Sequence, residues 1–275
     1  MTARPAIGDT GGAGGTLAHG LRETARWLAR SRWTVVLTGA GVSTESGLPD
    51  FRSAPGRGRP GGLWTGLDPM RVASASAFER DPDSFYRFYQ NRLAQMVGAE
   101  PNAAHRAIAR LEALGVVQLL VTQNVDRLHQ RAGSRAVAEV HGNLQEARCQ
   151  SCNVVVPVAE MGRQLDAGTH PRCARCGGPL RPNVVLFEEA LPAEPFRRAE
   201  EGCTRCEVLL LAGSSLEVYP VAGLPQVAKD HGARVVIVNR DPTACDGLAD
   251  LILRGEAGEV LPAIVAAVED LLASQ

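Results

Sequence analysis

The chain has 275 residues, 45% of them apolar, and 29 basic side chains against 30 acidic ones for a net charge of −1. That length allows one large domain with insertions and a substantial core. The near-neutral balance gives no electrostatic reason to expect nucleic acid or a membrane as partner, and the longest apolar runs, such as Val208 to Ala212, are too short to span a bilayer.

Residues 1–15 are rich in Gly and Thr and lack an apolar stretch, so they read as a disordered tail rather than a secretory signal. Thr16 is placed to cap a helix whose apolar face is Leu17, Leu21, Ala25 and Leu28. Val35, Val36 and Leu37 form a short, wholly apolar run suited to a strand buried on both faces. Gly39, Ala40 and Gly41 follow, and then Ser43 to Ser46, which suits a helix start. Glycines at such a turn let backbone N–H groups approach a phosphate, and a helix N-terminus favours its charge; a plain tight turn is the alternative. A redox dinucleotide turn places an acidic residue about 20 positions on. Here that region is the Gly/Pro/Arg loop Arg57 to Gly62, and Pro49, Asp50, Phe51 and Arg52 come first.

Residues 53–98 begin as that loop and become helical over Asp83 to Met96. A helix is predicted from Asn102 to Leu114 with Gly115 as its stop, a buried strand over Val116 to Val121, a short helix over Asn124 to Arg131 ended by Gly133, and a strand over Ala136 to Val140. Regular periodicity fades from Leu144 to Leu180. It returns with Val208 to Leu211, a helix ending near Gly232, Val235 to Val238, Leu251 to Leu253 and a last helix over Gly258 to Ala273. Strands alternating with helices imply an α/β fold: a doubly wound, Rossmann-like parallel sheet. The helical insertion and a zinc-binding module form a smaller lobe, with a ligand cleft between the two. The expected division is a Rossmann-like nucleotide-binding domain over 16–52, 99–143 and 181–275, a loop and helical module over 53–98, and a metal module over 144–180.

Three CxxC pairs occur among the seven cysteines: Cys149/Cys152, Cys173/Cys176 and Cys203/Cys206. The first two are separated by twenty residues and complete a four-thiolate tetrahedral set for a structural zinc, closed to water and so not catalytic. Without a secretory signal, metal is favoured over disulfides and the cytoplasm over an oxidising compartment. Cys206 directly precedes a strand, so Cys203, Cys206 and Cys245 read as buried core residues rather than ligands.

Thr122 to His129, TQNVDRLH, follows a buried strand, where carboxamides and a carboxylate would point into the cleft of a doubly wound sheet; a polar helix cap is the alternative reading. His141 ends another strand and is followed by Gly142. A histidine there is either packing or, titrating near neutrality, a general base.

Taken together, GAGVSTESGLPDFR, TQN-x-D-x-LH and the His141–Gly142 pair resemble the sirtuins, NAD-consuming protein lysine deacylases, over roughly residues 17–272. The resemblance implies His141 as general base and Asn124 as holder of ribose and a water, with His129 structural. NAD, a consumed co-substrate, would meet Gly39, Ala40, Gly41, Ser43, Asp50, Phe51 and Arg52 on one side. Gln123, Asn124, Val125, Asp126 and His141 would surround its nicotinamide and the adjoining ribose. Gly213, Ser214, Ser215, Asn239, Asp241 and Ala257 would hold its phosphates, second ribose and adenine. Nicotinamide would leave as the acyl oxygen attacks the ribose, and water would complete transfer to give lysine and O-acyl-ADP-ribose.

The expected partners are acylated lysines of proteins, with no nucleic acid and no membrane. Arg181 to Glu189 resembles the family's strand that pairs with substrate backbone, and Glu217 to Pro220 its opposite wall. Phe51, Val185, Phe187, Leu191, Val218 and Tyr219 would line the lysine channel. Glu188 stands where the family usually has Gly. Ala73, Tyr89 and Arg92 match the desuccinylase/demalonylase branch, in which a small residue widens the pocket and Arg plus Tyr bind a distal carboxylate; an amphipathic helix with a solvated Arg is the bland alternative. Other readings are mono-ADP-ribosyl transfer, a zinc-ribbon module on nucleic acid, disfavoured for want of a basic aromatic stripe, and a dehydrogenase, disfavoured by the missing ribose acid.

Overall fold

The computed structural model describes residues 13–50, 63, 64 and 66–274, with the side chains of 13–16 left out. The chain runs α1 (Ala13–Arg30), β1 (Thr34–Thr38), a 3₁₀ segment (Ala40–Ser46), α2 (Pro69–Val72), α3 (Ala75–Arg80), α4 (Pro82–Met96), α5 (Ala103–Ala113), β2 (Leu119–Thr122), α6 (Leu128–Ala132) and β3 (Val137–Glu139). It continues with β4 (Gly142–Cys149), β5 (Val155–Pro157), α7 (Val158–Asp166), β6 (Leu180–Val184), α8 (Ala193–Arg205), β7 (Val208–Ala212), α9 (Leu224–Asp230), β8 (Arg234–Val238), β9 (Leu251–Leu253) and α10 (Ala257–Ala273).

The larger sheet is six-stranded and parallel, in the order β3-β2-β1-β7-β8-β9. β1 and β7 are buried along their whole length, their apolar runs Val35–Leu37 and Val208–Ala212 lying between two helical layers. Successive side chains alternate between the layers. Val36, Leu210 and Val236 face the cluster formed with Leu28 of α1, Ile108 of α5 and Ile264 of α10. Val35, Leu209 and Val235 face Ala199 of α8 and Ala228 of α9. Strand order reverses between β1 and β7, and ligands of such sheets sit beyond the carboxyl ends at that reversal.

The two insertions pack on each other. An antiparallel sheet β5-β4-β6 carries the paired cysteines. Tyr86 of α4 donates its hydroxyl to the Leu180 carbonyl at 2.8 Å, and Gln90 bonds Asp166 of α7 at 2.9 Å. Residues 181–184, grouped above with the larger domain, pair with β4 in this small sheet.

Several local expectations are corrected. α1 begins at Ala13, so Thr16 lies within it rather than capping it. The segment after Gly39 is a 3₁₀ helix without a side-chain N-cap, not an α-helix. β2 starts at Leu119 rather than Val116. Asn124 to Arg127 is a loop, with α6 beginning at Leu128. The stretch resembling a substrate-pairing strand is strand only to Val184. β4, β5, α7 and α8 were not anticipated. Among the described residues no helix is long and apolar enough to cross a membrane.

Candidate active site

At the strand reversal, the loops after β1 and β7 interlock. Gly41 donates its N–H to the Gly213 carbonyl at 2.8 Å. A Cβ on Gly41 would lie 2.7 Å from that oxygen, and one on Gly213, whose φ is +58°, would lie 2.4 Å from the Val42 nitrogen. Glycine is therefore needed here first for loop contact. The Gly41 N–H is committed to Gly213 rather than free for a phosphate.

Ser43 is the hub behind this turn. Its hydroxyl donates to Asp126 Oδ2 at 2.7 Å and accepts from Asn124 Nδ2 at 3.1 Å. With that proton spent, His105 Nε2, 3.3 Å away, acts as a second donor to Ser43 Oγ. Asp126 Oδ1 also accepts the Leu128 N–H at 2.9 Å and so caps the loop turning into α6. Burial lowers the His105 pKa to about 4, which keeps the ring neutral. Its neighbour His129, ring centroids 4.7 Å apart, is fully buried against Thr38 and has a role in packing rather than in the cleft. His105 was not singled out from the sequence; the P-N-x-x-H helix start, in which Asn102 caps α5 and His105 closes the capping box, carried the signal.

Gln123 bridges two strand ends. Its side chain donates to Ser214 Oγ at 2.9 Å, and its carbonyl lies 3.2 Å from His141 Nδ1. A carbonyl only accepts, so Nδ1 carries the proton and Nε2 the lone pair. Burial holds the His141 pKa below the ordinary histidine value. Gly142 has φ +72°, and a Cβ there would sit 2.2 Å from the Asn183 carbonyl oxygen. The room that Gly142 leaves is thus filled by β6.

Asn239 donates to the Asp241 carbonyl at 2.7 Å, shaping the loop after β8. Ala257 opens α10, and the next N–H, of Gly258, is capped at 2.7 Å by Glu45 Oε2 from the 3₁₀ segment. Glu45 thereby ties the glycine turn to the helix start that carries Ala257. That contact spans 213 positions and has no local mark in the chain.

The described cofactor and substrate candidates line one continuous cleft of about 350 Å³. It runs from Gly39, Asn239 and Ala257 past Asn124 and His141 to Ala73, Tyr89 and Arg92. Phe51 and Arg52 lie outside the described residues. Val185, Phe187 and Leu191 form one wall, and Val218 with the largely exposed Tyr219 the other. Stacked Trp64 and Phe88, ring centroids 5.6 Å apart, add an aromatic wall that sequence reading missed. At this end burial pushes the Tyr89 hydroxyl pKa up and the Arg92 pKa down. Arg92 reaches Gln95 Oε1 at 3.3 Å, and no carboxylate pairs with it among the described residues.

The sulfurs of Cys149, Cys152, Cys173 and Cys176 all lie within 4.8 Å of one another, with Cys149–Cys176 at 3.4 Å and Cys152–Cys173 at 3.8 Å. Zn–S bonds of ~2.3 Å in a tetrahedron give edges of roughly 3.8 Å, so the set fits a closed structural zinc. Cys203, Cys206 and Cys245 are buried in the core, as expected.

The sequence model of the Sir2 family matches residues 39–220. The NAD-dependent protein deacylase 2 of Archaeoglobus fulgidus is 45% identical over 252 residues, 91% of this chain and 97% of that protein. A Sir2 homologue in complex with NAD superposes with a TM-score of 0.83 at 42% identity, covering 91% of this chain and 94% of that one. A Sir2 protein bound to a myristoylated histone peptide gives 0.77 at 39% identity, covering 94% and 100%.

Proposed function

The chain belongs to the Sir2 family and is an NAD-dependent protein deacylase; from that premise we propose that its acyl pocket takes succinyl, malonyl or glutaryl groups on lysine as well as acetyl. The observation that carries this reading is Arg92. It is a half-buried guanidinium that lines the pocket beside the Tyr89 hydroxyl and small Ala73; the Asp126 charge only partly offsets its burial, and no carboxylate forms an ion pair with it among the described residues. An acyl chain ending in a carboxylate supplies that partner through charge-assisted hydrogen bonds.

The remaining residues take the roles that the family resemblance implies, and their place along one cleft supports that reading. Gly39, Ala40 and Ser43 with Gly213, Ser214 and Ser215 receive the NAD phosphates, and Gly41, whose N–H bonds Gly213, contributes close backbone approach only. Asn239 and Asp241 receive the adenosine ribose and Ala257 the adenine; Asp50 borders the cofactor, and the resemblance assigns Phe51 and Arg52, outside the described residues, to it as well. Gln123, Asn124, Val125 and Asp126 hold the nicotinamide end, with Asn124 and Asp126 pre-oriented by Ser43. The acyl-lysine stem passes Val185, Phe187 and Leu191 on one side and Val218 and Tyr219 on the other. His141 Nε2 takes a proton from the ribose diol once nicotinamide has left. The reaction balances as NAD, acyl-lysine and water giving nicotinamide, lysine and O-acyl-ADP-ribose. A zinc held by Cys149, Cys152, Cys173 and Cys176 supplies a structural cross-link and no open coordination position. The alternative of mono-ADP-ribosyl transfer is not favoured, since the relative reported above bears a deacylase name.

The test is nicotinamide release from NAD with matched acetyl, succinyl and glutaryl peptides, for wild type and Arg92→Met. Loss of a charge-assisted contact should lower kcat/KM for the acidic acyl groups roughly 10- to 100-fold and for acetyl less than about threefold. Equal losses would sink the acidic-acyl assignment. No nicotinamide from wild type with any acyl peptide would sink the deacylase reading itself.

A further inference from the structure

Glu188 has φ +76°, a left-handed conformation that costs a residue with a Cβ and suits glycine. Its carboxylate reaches across 112 positions to the start of α3, accepting the Ser76 N–H at 2.9 Å and the Ser76 hydroxyl at 3.0 Å. The Ser76 amide lies in the first turn of a helix, where an N–H has no partner within the helix. Ser74, the N-cap of α3, serves the Ala77 N–H instead. The carboxylate therefore answers a donor that nothing else in the turn satisfies, and its negative charge suits a helix start.

Two backbone bonds lie beside this contact. Phe187 donates its N–H to the Ala73 carbonyl at 3.1 Å, and Ala75 donates to the Phe187 carbonyl at 3.1 Å. Phe187 belongs to the lysine-channel wall that continues from β6, and Ala73 belongs to the α2–α3 junction at the acyl end. The helical module carrying Ala73, Tyr89 and Arg92 is thus stapled to the substrate wall at Phe187 and Glu188.

The geometry points to Glu188 as a specificity-determining positioning residue: a carboxylate clamp between the substrate wall and the α3 N-terminus that sets the width of the acyl pocket. Its carboxylate touches the Ser76 main chain and hydroxyl, so it acts through the position of Ala73 against Phe187. The specificity half rests on the deacylase reading above; the clamp itself does not.

Three variants separate the clamp from the backbone. Glu188→Gly suits the left-handed conformation and removes the clamp, Glu188→Ala removes it and keeps the strain, and Glu188→Gln keeps an oxygen to accept the Ser76 N–H. Hydrogen exchange at the Ser76 amide is expected to rise about tenfold or more in Glu188→Gly and Glu188→Ala and to stay near wild type in Glu188→Gln. The ratio of kcat/KM for glutaryl over acetyl peptide is expected to shift about fivefold or more in Glu188→Gly and to recover in Glu188→Gln. Unchanged exchange in Glu188→Gly overturns the clamp. Faster exchange with an unchanged ratio overturns its part in specificity. A wild type that turns over no acyl peptide defeats the deacylase reading and the specificity role with it, whereas an active wild type with a flat ratio defeats this inference alone.

Discussion

At His141 one hydrogen bond decides which nitrogen is available. Nδ1–H is committed to the Gln123 carbonyl, leaving the Nε2 lone pair. Burial lowers the imidazole pKa, so the proposed base is already unprotonated at neutral pH. The acid limb of kcat is therefore expected below the ordinary histidine value of about 6.5, with a flat rate above it. His141→Tyr is expected to cost about 10²-fold or more in kcat, the usual scale for a lost general base, while circular dichroism shows an intact fold. Turnover near wild type in a folded variant would remove His141 from that role. His141 was legible because it follows a strand and precedes Gly142. His105 was legible only as part of a helix start: Asn102 and His105 mark the capping box of α5, but nothing local shows that the ring reaches Ser43, 62 positions away.

The β5-β4-β6 sheet and its two knuckles have little core of their own. The local cluster is Cys149, Cys173 and Leu180, with Cys152, Val154 and Val156 around it. Metal binding, on the order of 10 kcal/mol for such sites, is then the main term holding the element together. Chelation should release one zinc per chain, expose residues 149–180 to protease and abolish turnover, because β4 pairs with β6 and β6 leads into the substrate wall. A metal-free protein that keeps both protease resistance and activity would refute this. The cysteine spacing was plain in the sequence, but the sheet that carries it was not. β4 buries residues irregularly and its pairing with β6 shifts register between Gly142 and Ala147, so no clean alternation marks it. α8 was missed for a different reason. Its two faces are well separated, but the buried one is Ala199, Gly202 and Cys203 with Phe196 beside them, small residues in a segment otherwise dominated by charge. Close packing explains that choice, since a Cβ on Gly202 would lie 2.5 Å from Leu119. The apolar runs Val35–Leu37 and Val208–Leu211, by contrast, disclosed the sheet because burial on both faces leaves them no polar position.

Across the whole molecule, folding takes three imidazoles out of water: His105, His129 and His141 all have pKa values lowered by burial. His105 has Asp126 and Arg106 as its charged neighbours, acting in opposite directions, and falls to about 4. A group whose folded pKa is depressed contributes stability that is present above its unfolded value, about 6.5, and lost as pH falls towards the folded one. Between those limits the unfolded chain binds more protons than the native one, so acidification favours unfolding. For His105 alone the loss from pH 7 to pH 5 is on the order of 2 kcal/mol. Denaturant melts across that range, with zinc in excess, should show falling stability. His105→Gln cannot titrate, so its stability should depend on pH less steeply, by up to one proton, whatever its absolute midpoint. Comparing slopes rather than midpoints isolates the histidine from acid loss of zinc, which both proteins share. Parallel slopes for wild type and variant would show that the buried His105–Ser43–Asp126 network is not where acid first attacks the fold.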